Sequence, residues 1–237
     1  MWNGFEAEKF VYNERDAIIV YPNGKTNGKI LLKTEYLDAF PVFDIEMLKR
    51  GYYLINIDHC TRWGSEEETH IMAEFVRYCA KKLNASLRCI VEGLSCGGLQ
   101  GARLVQKYPE LVGVLYLDAP VMNIISLAGL GAAQIGDKFW PDIASTYGLT
   151  KSTIVNFRDS PMDDMSAFIK NDIPIIMVYG TADTVVVYEE NGKLLEGYYN
   201  EKGGTLKVIA KPGCDHHPHG LPDPAPIIDF VEQNYRD

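Results

Sequence analysis

A chain of 237 residues, 46% hydrophobic and 23% charged, has the make-up of one globular domain with ample core. Its formal net charge of −9 argues against nucleic acid or an anionic membrane as partner, since either would want a basic patch. No apolar run approaches a membrane span, Met1–Glu6 lacks the basic and apolar regions of a signal peptide, and the cysteines (Cys60, Cys79, Cys89, Cys96, Cys214) have no paired spacing, so reduced thiols and a cytoplasmic location are expected.

Phe10–Asn13 and Ala17–Tyr21 are strand-like runs separated by the turn signal Asn13-Glu14-Arg15-Asp16, which predicts an antiparallel hairpin. After a glycine- and asparagine-rich loop, Lys29–Lys33 is an apolar strand, Asp44–Arg50 a helix ending before Gly51, and Tyr52–Asp58 the next strand. Glu66–Leu83 is a long helix, with acids in its first turn, Lys81-Lys82 in its last, and Ile71, Phe75, Tyr78 and Cys79 at helical spacing. Arg88–Glu92 is a strand and Leu99–Tyr108 a helix. Leu111–Leu117 is a buried type of strand that runs into Asp118-Ala119-Pro120. Residues 124–171 then break the alternation with glycines, prolines and weak helical stretches, and read as a cap-like insertion within a single domain spanning 1–237. Ile173–Tyr179, Tyr188–Lys202, Leu206–Ala210 and Ile227–Tyr235 restore it as strand, helix, strand and helix. Apolar strands alternating with helices predict a mostly parallel sheet covered on both faces, with reactive groups at the carboxyl ends of its strands.

Between the Arg88–Glu92 strand and its helix lies Gly93-Leu94-Ser95-Cys96-Gly97, the pattern of a nucleophile elbow. A serine on so sharp a turn needs small neighbours two residues to either side, and the helix that follows offers backbone N–H groups to a developing oxyanion. Asp183 follows the next-to-last strand and His216 the last. Ser95 would be the nucleophile, His216 its base and then the acid for the leaving group, and Asp183 the group that orients the imidazole. Asp118, also at a strand end, is the rival acid, and His217 the rival base. A metal reading of His216, His217 and His219 lacks a completing set of carboxylates or cysteines, so neither metal nor cofactor is expected.

The order Ser95, Asp183, His216, each at a strand end, resembles the α/β-hydrolase superfamily over essentially the whole chain. That resemblance implies an α/β-hydrolase fold: a mostly parallel sheet of about eight strands, helices on both faces, and a hydrolytic triad. It also implies an oxyanion hole made by the N–H of Cys96 and one from the loop after the Lys29–Lys33 strand. Where the family commonly has a His-Gly pair, this chain has Lys33-Thr34; Glu35 is the expected donor, with Tyr36 next. Lys33–Phe40, Arg62-Trp63-Gly64 and the tail His216–Phe230 resemble bacterial prolyl-oligopeptidase-like or acetyl-xylan-esterase-like hydrolases, which implies a carbohydrate ester as substrate. Tyr36, Phe40, Trp63 and Trp140 would either wall the substrate site, with His217, or pack in the core or cap. The expected activity is that of a serine carboxylesterase acting through an acyl-enzyme on small-acyl esters, of the acetyl or feruloyl type. A serine peptidase of the prolyl-oligopeptidase type and a non-catalytic ligand-binding protein are the alternatives.

Overall fold

The computed structural model describes residues 1–134 and 136–237. Eight strands among the described residues join in one sheet: β1 (Ala7–Tyr12), β2 (Arg15–Val20), β3 (Ile30–Lys33), β4 (Tyr53–Ile57), β5 (Cys89–Leu94), β6 (Val112–Asp118), β7 (Ile175–Gly180) and β8 (Leu206–Lys211). Their order is β1-β2-β4-β3-β5-β6-β7-β8. The pairs β1–β2 and β2–β4 are antiparallel and the other five are parallel. The predicted hairpin is present with a tighter turn than expected: Tyr12 pairs with Arg15, and Asn13 and Glu14 both take positive φ, the conformation that matches a two-residue connection to the strand twist.

Helices α1 (Val42–Lys49), α2 (Glu66–Leu83), α3 (Cys96–Lys107), α4 (Gly136–Tyr147), α5 (Ser166–Lys170), α6 (Gly192–Lys202) and α7 (Ala225–Asn234) complete the architecture. Side chains along the central strands alternate between two cores. Val91 of β5 packs in a core with Phe75 of α2, Ala102 of α3 and Leu195 of α6. Its neighbour Ile90 packs on the opposite face with Met47 of α1 and Ile227 of α7. The two faces explain why these strands read as continuous apolar runs. Helix α2 has the bounds its sequence predicts, and Ser65 caps it by accepting a hydrogen bond from the Glu68 N–H at 3.3 Å. Helix α3 begins three residues earlier than its apolar run suggested, directly after Ser95, because Cys96, Gly97 and Gly98 form its first turn.

Between β6 and β7 the chain supplies a third cluster, in which Val121, Ile124, Leu127, Ile143 and Ile154 pack on Trp63, Cys96 and Leu99. The weak helical stretches expected there include α4, which carries Pro141 inside it, and the five-residue α5.

Candidate active site

The turn after β5 is built by crowding. Ser95 has φ 53° and ψ −116°, a conformation that costs a non-glycine residue strain and that the surroundings must hold. A Cβ on Gly93 would lie 2.6 Å from the Gly97 carbonyl oxygen, and one on Gly97 would lie 2.7 Å from Thr34 Oγ1. Only glycine at both positions lets strand, helix and the loop after β3 meet. The Ser95 N–H donates to Asp118 O at 2.9 Å, and the Val121 N–H donates to Ser95 O at 3.0 Å, which fixes the turn from the β6 side.

His216 reaches this serine from the loop after β8. Its Nε2 lies 3.0 Å from Ser95 Oγ and its Nδ1 lies 2.8 Å from Asp183 Oδ2. The second Asp183 oxygen accepts the Val185 and Val186 N–H groups, both at 2.9 Å, so the carboxylate cannot rotate away. Asp215 Oδ1 accepts the N–H groups of His216 and Thr184 and so ties the two loops together; those same two N–H groups hold the Asp215 carboxyl below the usual range. Gly180 permits the approach, since a Cβ there would lie 2.4 Å from the Cys214 and Asp215 carbonyl oxygens. All three side chains are buried or nearly so. A hydroxyl, an imidazole and a carboxylate in this chain of hydrogen bonds have the geometry for general-base activation of the serine.

The rival assignments are placed elsewhere. Asp118 Oδ1 is 2.8 Å from Nδ1 of His219, and its Oδ2 accepts the Gly220 N–H at 2.7 Å. Lys211 Nζ lies 3.6 Å from Asp118 and donates to Pro218 O at 2.6 Å. A second imidazole–carboxylate pair thus anchors the loop that carries His216. His217 is exposed and stacks on Phe40, with ring centroids 5.5 Å apart.

On the opposite side of the elbow, Thr34 Oγ1 lies within hydrogen-bond distance of Gly97 O (2.8 Å) and Glu92 O (3.1 Å). Gly97 is close enough that its missing Cβ would lie 3.5 Å from the Glu35 nitrogen, so the predicted donor loop adjoins the elbow. The Cys96 N–H belongs to the first turn of α3, where no intrahelical acceptor exists. The Glu35 side chain faces away, accepting from Gln100 Nε2 at 2.8 Å. Tyr36 takes a positive φ of 56°, and its hydroxyl accepts from Arg62 Nη1 at 3.3 Å. His59 braces the loop from behind, with Nε2 3.0 Å from Thr34 O and Nδ1 3.3 Å from Glu68 Oε2.

Ser95 and His216 open into a cleft of about 650 Å³, whose other lining residues include Tyr36, Phe40, Arg62, Phe139 and His217. The expected aromatic wall is therefore corrected at two places. Trp63 is 1% exposed and lies in the third core cluster, and Trp140 packs against the same cluster; neither lines this cleft. Arg62 and Phe139, the residue before each tryptophan, take those places. Within α4 adjacent residues point about 100° apart, so a one-residue difference in facing exchanges Trp140 for Phe139; Arg62 and Trp63 lie in the turn before α2. Lys138, Asp142 and Val185 also line the cleft and carried no sequence signal.

Cys96, beside the serine, is a buried thiol that burial pushes up to about 11. Cys60 is exposed. Iodoacetamide at neutral pH is therefore expected to alkylate Cys60 and to leave Cys96 unmodified, as read by peptide mass spectrometry. Fast labelling of Cys96 would mean that the elbow opens in solution.

A mostly parallel sheet of this strand order, with the serine on the turn after β5, the aspartate after β7 and the histidine after β8, is the α/β-hydrolase fold. Among solved structures the chain is similar to the acylaminoacyl peptidase of Pyrococcus horikoshii, with a TM-score of 0.77 and 12% identity over 100% of this chain and 43% of that one. It is also similar to a puromycin-hydrolyzing peptidase of Mycobacterium tuberculosis, with a TM-score of 0.69 and 13% identity over 98% of this chain and 39% of that one. A puromycin hydrolase gives a TM-score of 0.72 and 16% identity, over 96% and 38% of the respective chains. The chain thus spans about two fifths of the length of these proteins, and the likeness is one of fold. No family model and no curated protein matches the sequence. Among the described residues no helix is long and apolar enough to cross a membrane.

Proposed function

We propose that this protein is a serine hydrolase that cleaves small carboxylic esters through an acyl-enzyme on Ser95. The observation that carries the reading is the hydrogen-bond chain from Ser95 Oγ through His216 to Asp183, at 3.0 and 2.8 Å. In the first half-reaction Ser95 Oγ attacks the ester carbonyl while His216 Nε2 takes its proton. The Cys96 N–H and the Glu35 N–H receive the oxyanion, each such donor being worth about 3–4 kcal/mol in a transition state. The tetrahedral species collapses as His216 returns the proton to the departing alcohol, leaving the acyl group on Ser95. Water then repeats the sequence, with His216 as base and then acid, and frees the carboxylic acid. Asp183 holds the imidazole in the tautomer with Nδ1–H and stabilises its cation.

The cleft volume of about 650 Å³ suits a small acyl group with a sugar or aryl alcohol, and Tyr36, Phe40 and Phe139 offer faces for either. Peptide or amino-acyl amide hydrolysis is the second reading, favoured by the structural likeness to enzymes named as peptidases. Both readings share the acyl-enzyme and differ in the leaving group. The test is hydrolysis of p-nitrophenyl acetate beside an amino-acyl p-nitroanilide, with fluorophosphonate labelling of Ser95. Ester turnover with labelled Ser95 is the expected result. Faster turnover of the anilide would support the peptidase reading, and a protein that neither turns over nor labels would refute both.

A further inference from the structure

The serine and aspartate account for only one of the three histidines that crowd the end of the sheet. His216, His217 and His219 form a near-equilateral triangle, with ring centroids 4.8, 4.9 and 4.9 Å apart. One ring nitrogen from each lies within 4.8 Å of the others. Two of the rings are set up in the same way: His216 and His219 each turn Nδ1 to a buried carboxylate, Asp183 and Asp118, at 2.8 Å. A carboxylate on one imidazole nitrogen fixes the tautomer and leaves the other nitrogen as a lone-pair donor, the usual outer shell of a metal-bound histidine. The freed nitrogen of His216 is the one facing Ser95. That of His219, Nε2, is buried and has no hydrogen-bond partner among the described residues. A buried imidazole nitrogen without a partner costs stability unless something occupies it on occasion.

We propose that His216, His217 and His219 form an inhibitory site for zinc. Three neutral imidazoles are a donor set that zinc accepts, with Zn–N bonds of about 2.0–2.1 Å and therefore nitrogens about 3.4 Å apart in a tetrahedral site. Closing the triangle to that size meets least resistance at His217, the exposed member, whose ring is held by stacking on Phe40 and not by any hydrogen bond found among the described residues. The metal takes the Nε2 lone pair of His216 and so removes the acceptor for the Ser95 proton. No bond to substrate is made or broken, and withdrawal of the ion restores the base. The ion here is a reversible blocker of the reaction and not a participant in it. The inhibitory consequence rests on His216 being the base of the proposed hydrolysis; the binding itself does not.

The test is calorimetric titration of zinc chloride into the purified protein, repeated with His217→Ala and with His219→Asn. The asparagine keeps an N–H for Asp118 and deletes only the Nε2 donor. The expected result is one zinc ion per chain in the parent, weakened about tenfold or more in each variant, as loss of a ligand requires. In parallel, zinc should slow fluorophosphonate labelling of Ser95, and EDTA should restore it. Absence of saturable binding would overturn the proposal. So would binding that survives His217→Ala and disappears with Cys60→Ser, since that places the ion on the exposed thiol. Zinc binding with no ester turnover would count against the hydrolase reading alone; turnover without zinc binding would count against this site alone.

Discussion

Ser95→Ala will lower kcat for p-nitrophenyl acetate by about 10⁶-fold, the scale lost when a nucleophile acting as part of a unit is removed. The size of the effect follows from geometry. Ser95 Oγ is the hydroxyl placed 3.0 Å from His216 Nε2, and no hydrogen bond to another hydroxyl is found for that nitrogen among the described residues. The backbone should tolerate the change, because alanine differs from serine only beyond Cβ and the positive φ of 53° is imposed by the turn. Thermal unfolding is therefore expected to be unchanged while activity disappears. Asp183→Asn should cost about 10⁴-fold, less than the serine, because the amide presents the wrong partner to Nδ1 but leaves nucleophile and base in place. Retention of more than about one hundredth of parent activity in Ser95→Ala would remove this residue from the chemistry.

Lys33→Met will destabilise the protein by about 3–5 kcal/mol, measured by urea unfolding, because it leaves buried acid groups without their cation. Lys33 is fully buried at the end of β3, with Nζ 2.6 Å from Asp44 Oδ2, 2.9 Å from Ala39 O and 3.7 Å from Glu92 Oε1. Asp44 Oδ1 and Glu92 Oε2 already lack partners among the described residues, so nothing nearby can take over. Burial and the neighbouring Asp44 push the Glu92 carboxyl well above the usual range, and Asp44 makes the closer contact with Lys33. Two consequences separate this account from a simple packing loss. Glu92→Gln should cost only about 1 kcal/mol, since it replaces a group whose charged form burial already disfavours. Lys33→Met combined with Asp44→Leu should recover most of the stability lost in the single variant, because a buried pair replaced whole by apolar groups is often neutral. Activity should fall in Lys33→Met as well, because the same ammonium holds Ala39 and with it the loop from Thr34 to Phe40 proposed to supply the second oxyanion donor.

The residues at strand ends were readable because their positions follow from topology. Once β5, β7 and β8 are recognised as parallel strands, the loop after each must leave from the same edge of the sheet, and those loops carry Ser95, Asp183 and His216. Side-chain facing within the segment over that edge was not readable in this way. Trp63 and Trp140 announced themselves by type, yet the cleft takes Arg62 and Phe139, because rotation of a loop or of α4 depends on packing that composition does not encode. The choice between Asp118 and Asp183 was open for a related reason. Both end strands, and only the path of the loop through Asp215, His216 and His219 decides which imidazole each receives. The buried Lys33 is a further case: lysine in an apolar strand end looks like an exposed terminus until Asp44 and Glu92 are brought to it from α1 and β5.

The serine and histidine that meet in the site are 121 residues apart, and the histidine lies 33 residues beyond its aspartate. β8 sits at the edge of the sheet and pairs with β7 alone, so His216 reaches Ser95 only when this edge strand is docked on β7. Contacts so distant in sequence carry a loop-closure cost that local contacts do not. In the proposed hydrolysis, reactivity at Ser95 is thereby conditional on the docking of β8: an elbow formed without that strand has no imidazole beside it. On that reading, the edge strand acts as a safety catch, since the serine and its proposed base meet only when β8 is in place.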